Sequence, residues 1–180
     1  MFFNRKKFNE DVKRGDIGEN EVYQLFENCN IKLVSSKTVP EEREFWDFRG
    51  NLDLKRIFKI EVKTDEMEEK TNNLAIEYGR IDIKNGEVIT VPSGIRITKS
   101  DLWHHIIYRC GKPLIYSTSV KKLKNFMQRF EPKAIKPIGD GGKSICWLYT
   151  NTYIIPSIFK RIDKMNEKQL REYLNSELND

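Results

Sequence analysis

Cysteine is scarce in this chain. Its three copies, Cys29, Cys110 and Cys146, are widely spaced, odd in number and without a CxxC pair, a pattern that fits neither a zinc site nor a disulfide framework. They are expected to be reduced and buried. Histidine is scarcer still: the adjacent His104 and His105 are the only two, too few for a zinc site and better read as surface or helix-packing residues. No apolar run reaches the roughly 18 residues of a membrane-spanning helix. Met1-Phe2-Phe3 passes straight into Asn4-Arg5-Lys6-Lys7 with no apolar signal core, so a soluble, cytoplasmic protein is expected. There is no zinc-finger or helix-turn-helix signature, and no internal repeat or low-complexity linker. Gly139-Asp140-Gly141-Gly142-Lys143-Ser144 ends like a phosphate-binding loop. It lacks the earlier glycine at the required spacing, reads as a plain loop, and implies no nucleotide cofactor.

What is present is charge. The 180 residues, enough for one domain with a real core, carry 32 Lys and Arg against 27 Asp and Glu, a net charge of +5. That balance suits a polyanionic partner. Basic groups gather at Arg5-Lys6-Lys7, Lys13-Arg14 and Lys121-Lys122 with Lys124, whereas 65–69 is acidic.

Apolar spacing predicts a helix over about Asp16 to Asn28, with Val12, Ile17, Val22, Leu25 and Phe26 on its apolar side and Glu19 in its first turns. Strands are expected at Ile31 to Val39, ended by Pro40, and at Arg43 to Phe48, with 50–53 as turn. The clearest strand is Arg56 to Lys63. Its alternation sets Phe58, Ile60 and Val62 on one face and Lys59, Glu61 and Lys63 on the other. A strand at Asn73 to Tyr78 precedes a hairpin whose Asn85-Gly86 is the pair that a type I′ turn requires. Thr98 or Ser100 then caps an expected helix to about Arg109, followed by a strand at 112–117 and a helix at 119–130. A strand over 144–155 and a helix over 166–178 close the chain.

The order helix with Glu19, strand with Asp47, strand with Glu61-Val62-Lys63 carries chemistry. Carboxylates on adjacent strands offer hard oxygen ligands to Mg²⁺, which retains waters and phosphate oxygens in its octahedral shell. Alternation sets Lys63 on the face of Glu61, where an ammonium can orient water or stabilise charge on a phosphate. Other Glu-x-Lys strings serve as internal controls. Glu68-Glu69-Lys70 falls in a polar loop, Glu131-Pro132-Lys133 is broken by proline, and Asp82-Ile83-Lys84 lacks a preceding acidic strand.

These residues resemble the PD-(D/E)xK nuclease superfamily, whose signature is an Asp, a variable gap and Glu-x-Lys on strands after a helix. Gly18-Glu19, Trp46-Asp47, Glu61-Val62-Lys63-Thr64-Asp65, Asn73-Leu74-Ala75-Ile76-Glu77 and Ser93-Gly94-Ile95, with Thr98 and Trp103, are similar to a phage and bacterial branch of it. The resemblance spans about Gly15 to Tyr108, and the proline that often precedes the Asp is missing. It implies an α/β fold with a restriction endonuclease-like core, a central mixed sheet flanked by helices (αβββαβ). One nuclease domain would then cover 1–180, with a catalytic core over about 10–130 and a C-terminal strand and helix extension over about 131–180. It further implies Glu19, Asp47, Glu61 and Lys63 as the catalytic set, the three carboxylates as metal ligands, and Mg²⁺ with Mn²⁺ as substitute.

The substrate implied is DNA, by similarity to Holliday junction resolvases a branched or junction DNA cut by a homodimer, in a bacterial or phage-infected cell. A restriction-type, repair or single-strand nuclease would use the same set, and a non-catalytic nucleic-acid-binding module would keep the fold. Asp65 and Glu77 stay open between an accessory metal or water site and plain solvated carboxylates. Ser93 reads as a turn residue, and Trp46, Trp103 and Trp147 as core or dimer packing. Arg5, Lys6, Lys7, Lys13 and Arg14 form an arm suited to phosphates, and Lys121, Lys122, Lys124 and Arg129 either a phosphate track or a solvated helix face.

Overall fold

The computed structural model describes residues 5–43, 45–53, 56–138 and 142–179, and of residues 5–11 and 53 the backbone alone. Along the chain run α1 (Arg5–Asn28), β1 (Leu33–Ser35), β2 (Phe48–Asp53), β3 (Arg56–Asp65), α2 (Glu68–Thr71), β4 (Asn73–Lys84) and β5 (Glu87–Pro92). There follow β6 (Leu102–Arg109), β7 (Lys112–Ser119), α3 (Val120–Arg129), β8 (Ala134–Pro137), β9 (Ser144–Thr150), α4 (Asn151–Ile158), β10 (Lys160–Arg161) and α5 (Glu167–Glu177). Short 3-10 turns lie at Ser36–Thr38, Pro40–Glu42 and Gly94–Arg96. Among the described residues no helix is long and apolar enough to cross a membrane.

The expected mixed sheet flanked by helices is present, ordered β1-β2-β3-β6-β7-β10, and a second sheet, β5-β4-β9-β8, accompanies it. In the first sheet β3 and β6 are parallel and every other pair antiparallel. One face carries Phe58, Ile60, Val62, Leu102 and Ile106 into a core closed by Val22 and Phe26 of α1 and by Leu170 and Leu174 of α5. A second core joins Trp103 of β6 to Leu74 and Ile76 of β4, Tyr149 of β9 and Leu123 and Phe126 of α3. Each fully buried side chain of this kind stabilises the fold by about 1.5–3 kcal/mol. Glu61 and Lys63 alternate with Phe58, Ile60 and Val62 and so leave β3 on the face away from α1.

Local signals hold where sequence chemistry is strong. Asn85 (φ 54°) and Gly86 (φ 82°) make the expected turn between β4 and β5. Ser119 caps α3 by accepting from the Lys122 amide, and Asn166 with Gln169 forms a capping box at α5.

Several expectations are corrected. Residues 102–109 form a strand, not a helix, and Thr98 and Ser100 are no cap. β6 lies between β3 and β7 with both faces covered, so six successive residues are buried, two histidines among them, and the alternation of a half-exposed strand is missing. His104 and His105 are therefore fully buried, and burial pulls His104 down to about 3, keeping the imidazole neutral. Residues 50–53, expected as turn, belong to β2, and β2 starts at Phe48, one residue past Asp47. Residues 31–39 yield only three strand residues before the chain coils into 3-10 turns. Residues 151–155, read as strand, open α4, and β8 was not foreseen. Val12 and Ile17 are exposed, and Cys110 is exposed in the turn between β6 and β7. Trp46 and Trp103 are core, as expected; Trp147 is half-buried. Gly139 to Gly141 lie outside the described residues.

Gly18 faces Thr64 and Ile106, and a Cβ there would overlap the Thr64 hydroxyl. The bare backbone lets α1 settle onto the sheet at the turn that carries Glu19. Gly18→Ala is expected to lower stability by about 1–3 kcal/mol through overpacking, read from the urea midpoint. An unchanged midpoint would show that α1 is not seated at Gly18.

Candidate active site

Asp47 occupies a bend whose backbone is pinned on both sides. Its amide donates to the Ile60 carbonyl at 2.8 Å, and its carbonyl accepts from the Ser36 amide at 2.8 Å. The side chain then reaches across to β3, where Oδ2 accepts from the Val62 amide at 2.6 Å. Val62 lies between Glu61 and Lys63, so this bond fixes Asp47 beside both. Burial, and next the Glu61 carboxylate, push Asp47 up to about 7; the Lys63 ammonium and the Val62 amide oppose the shift, and Glu19 adds to it.

Glu61 is buried, with 7% of its surface exposed. Its Oε1 pairs with Lys63 Nζ at 2.8 Å, and its Oε2 accepts from the Thr98 hydroxyl at 3.1 Å. Thr98 sits also 3.0 Å from the Phe45 carbonyl, which ties the loop before Asp47 to the loop before β6. Lys63 Nζ lies 3.8 Å from Glu77 Oε2 and 5.9 Å from the centre of the Trp103 ring. Burial alone would lower the lysine, but Glu61, Glu77 and Asp47 outweigh it and hold the ammonium well above the ordinary lysine value. Ser93 in turn donates from its hydroxyl to Glu77 Oε1. Ser93 is thus more than a turn residue.

Glu19 stands at the margin. Its Oε2 pairs with Lys37 Nζ at 2.7 Å, and Asp16 Oδ1 holds the same ammonium at 2.7 Å. Those two contacts raise the lysine, that with Asp16 the more. Asp65 belongs elsewhere. It accepts from the Met67 and Glu68 amides, both at 3.0 Å, and from the Ala75 amide at 3.1 Å, with His105 Nε2 at 3.6 Å. Burial would raise it, yet His105 and these amides leave it lowered. It closes the turn out of β3.

Asp47, Glu61, Lys63 and Glu77 therefore form one electrostatic cluster, with Glu19 close enough to be felt by Asp47. Sequence reasoning left Glu77 open, named Thr98 only in the strings of the resemblance and as a cap, and did not name Lys37, which carries no local signal that would single it out. Among the described residues no three His, Cys, Asp or Glu side chains come together as a ready metal cage. Asp47 and Glu61 nevertheless fit a hard cation that keeps most of its waters, which needs one or two carboxylates. Asp47 is raised by burial first and by the Glu61 carboxylate next, and such a charge would offset both.

The basic groups scatter. The side chains of Arg5, Lys6 and Lys7 lie outside the described residues. Arg14 pairs with Glu66 at 3.1 Å, and Lys122 with Glu177 at 2.9 Å. Lys13, Lys121 and Arg129 are exposed and Lys124 is half-buried. Two cavities of about 240 and 320 Å³ are lined by none of Glu19, Asp47, Glu61 and Lys63.

No family model matches the chain, and no curated protein matches it. Among solved structures it is similar to a bacterial homing endonuclease, I-Ssp6803I, at 14% identity over 93% of each chain with a TM-score of 0.48.

A raised Asp47 sets a sign for stability. Between the ordinary value of 3.8 and about 7 the folded chain keeps a proton that the unfolded chain releases, so this contribution falls as pH rises across that window. Asp47→Asn keeps an acceptor for Val62 and removes the charge. In chelator it is expected to exceed wild type by about 1–3 kcal/mol near pH 8, the gap closing toward about pH 4. Urea unfolding at both pH values checks this; a gap that grows in acid would refute it.

Proposed function

We propose that the chain is a metal-dependent DNA endonuclease that hydrolyses phosphodiester bonds at Asp47, Glu61 and Lys63. The observation that carries the proposal is the cluster itself: Asp47 held by the Val62 amide at 2.6 Å, and the half-buried Lys63 ammonium 2.8 Å from the buried Glu61 carboxylate. The resemblance of Glu19, Asp47 and Glu61-Val62-Lys63 to the PD-(D/E)xK signature supports it, as does the net charge of +5.

In this reading Asp47 and Glu61 hold Mg²⁺ or Mn²⁺, with Glu19 completing the acidic margin. Such an ion polarises a phosphoryl oxygen and acidifies a bound water. Lys63 contributes charge rather than basicity. An ammonium held above its ordinary value keeps its proton, so it stabilises the negative charge that builds on the phosphate and donates to it. Glu77 is a positioning residue: it offers the Lys63 ammonium a second carboxylate beside Glu61. Thr98 orients Glu61 through its hydroxyl. In its finer form the proposal is a homodimer acting on branched DNA, and a substrate panel decides it.

Labelled four-way junction, flap, duplex and single strand, each with Mg²⁺, Mn²⁺ or chelator, form that panel. Cleavage is expected with metal only, and paired symmetric nicks in the junction would support the resolving form. Asp47→Ala, Glu61→Gln and Lys63→Ala are each expected to lose roughly 100-fold or more in rate. A wild type that binds DNA and cuts nothing with either metal would be a binding module instead.

Glu77→Gln is expected to cost on the order of 10-fold and to shift the alkaline limb of the pH–rate profile to lower pH, because Lys63 loses one of the carboxylates that raise it. A rate loss with an unmoved limb would mean that Glu77 does not act through Lys63.

A further inference from the structure

The cavity of about 320 Å³ opens over the second core, and its lining is unlike a core. Tyr78 and Trp147 stack there with ring centres 4.3 Å apart and planes 20° from parallel, and the Arg96 guanidinium lies 4.9 Å over the Tyr78 ring. Ile95 and Met127 form a buried floor, and Lys124 stands at the wall. Both rings pack partly on the second core yet stay half-buried, whereas Trp46 and Trp103 are fully buried. Among the described residues neither Arg96 nor Lys124 has a carboxylate partner, while Lys37, Lys63, Lys122 and Arg109 each have one.

The pocket is joined to the cluster by backbone. Tyr78 follows Glu77 at an irregularity in the pairing of β4 with β9, between Glu77 and Gly79. On the other side, Arg96 ends the 3-10 turn that starts after Ser93, the donor to Glu77. Gly94, at φ 55°, presses that turn onto Glu77 so closely that a Cβ would meet the Glu77 carbonyl oxygen at 2.5 Å. The groups that hold Lys63 and the groups that line the pocket are thus neighbours along two chain segments.

We propose that this pocket takes an unpaired nucleobase of a DNA strand whose neighbouring phosphate lies at the cluster. The inference rests on the nuclease reading and adds a preference for strands with unstacked bases. The base continues the stack of Trp147, Tyr78 and Arg96, and Lys124 with the Arg96 charge meets the flanking phosphate. Stacking of this kind tolerates any sequence, and the cations favour a nucleotide over a neutral aromatic ligand.

The test is binding, in chelator, so that cleavage plays no part. A short single-stranded oligothymidylate, the same strand with one abasic position and a matched duplex are titrated into wild type and Arg96→Ala, followed by tryptophan fluorescence and anisotropy. Trp147→Phe assigns the fluorescence change. Arg96 is exposed, so its variant folds even where Trp147→Ala would not.

Arg96→Ala is expected to weaken single-strand binding about 10-fold, the equivalent of 1.4 kcal/mol, and to leave duplex binding within about 2-fold. The abasic position should cost wild type a similar factor and the variant little. Equal losses on single strand and duplex, or an abasic penalty that persists in the variant, would overturn the pocket assignment. So would free thymidine monophosphate competing as well as the oligonucleotide, since a strand would then not be the ligand. The nuclease reading is judged separately by the cleavage panel: base binding without any cleavage defeats that reading, and cleavage with unchanged base binding in Arg96→Ala defeats only this one.

Discussion

Taking several carboxylates out of water next to one another is costly, and the Lys63 ammonium is what makes the arrangement tolerable. It sits 2.8 Å from Glu61 and 3.8 Å from Glu77, and its charge opposes the rise of Asp47. The compensation is incomplete. Asp47 still stands near 7, raised by burial first and by Glu61 next, and three carboxylates surround the one lysine. A protein that only needed a stable sheet would have had no reason to place these groups here, because apolar side chains of similar volume are as good or better in such positions. The cost is concentrated at one end of the β3–β6 pair, where the strands run parallel and where Glu61 stands opposite Trp103 in the register.

What the amino-acid pattern revealed, and what it hid, follows from how many neighbours each segment has. β3 was legible because one face is apolar and the other bears the cluster, so alternation survives. The β4–β5 hairpin was legible because Asn85-Gly86 is a local chemical requirement. α3 and α5 were legible as helices close to their true bounds, read at 119–130 and 166–178. β6 was not. With α1 and α5 over one face and the second core over the other, Leu102 to Ile107 are buried without a break, and a segment covered on both faces shows no apolar–polar alternation to read. The two sheets were equally hidden: β9 pairs with β4 across some 60 residues of intervening chain and β8 lies beyond β9, pairings that no local pattern encodes.

The candidate site divides the same way. Glu61 and Lys63 could be read from one strand. Asp47 was placed inside a strand and lies instead on the bend before it, yet it still reaches β3, because the bend is stitched to that strand by the Ile60 carbonyl and the Val62 amide. Glu77, Thr98 and Ser93 stood in the strings of the resemblance, but their contacts with Lys63, Glu61 and each other are tertiary and have no local pattern.

Two glycines show why contact geometry mattered more than composition here. Gly18 brings α1 onto Thr64 and Ile106, and Gly94 brings the 3-10 turn onto the Glu77 backbone. Each precedes or adjoins a polar residue that the site uses, Glu19 in the first case and Ser93 in the second. A close approach of this kind removes the slack that a side chain would impose, so that the neighbouring carboxylate or hydroxyl is positioned by backbone rather than by a flexible side-chain stem. The two approaches act from different elements, one through the helix over the first core and the other through β4 of the second sheet. The position of the cluster is therefore determined by both sheets together, and neither half of the chain defines it alone.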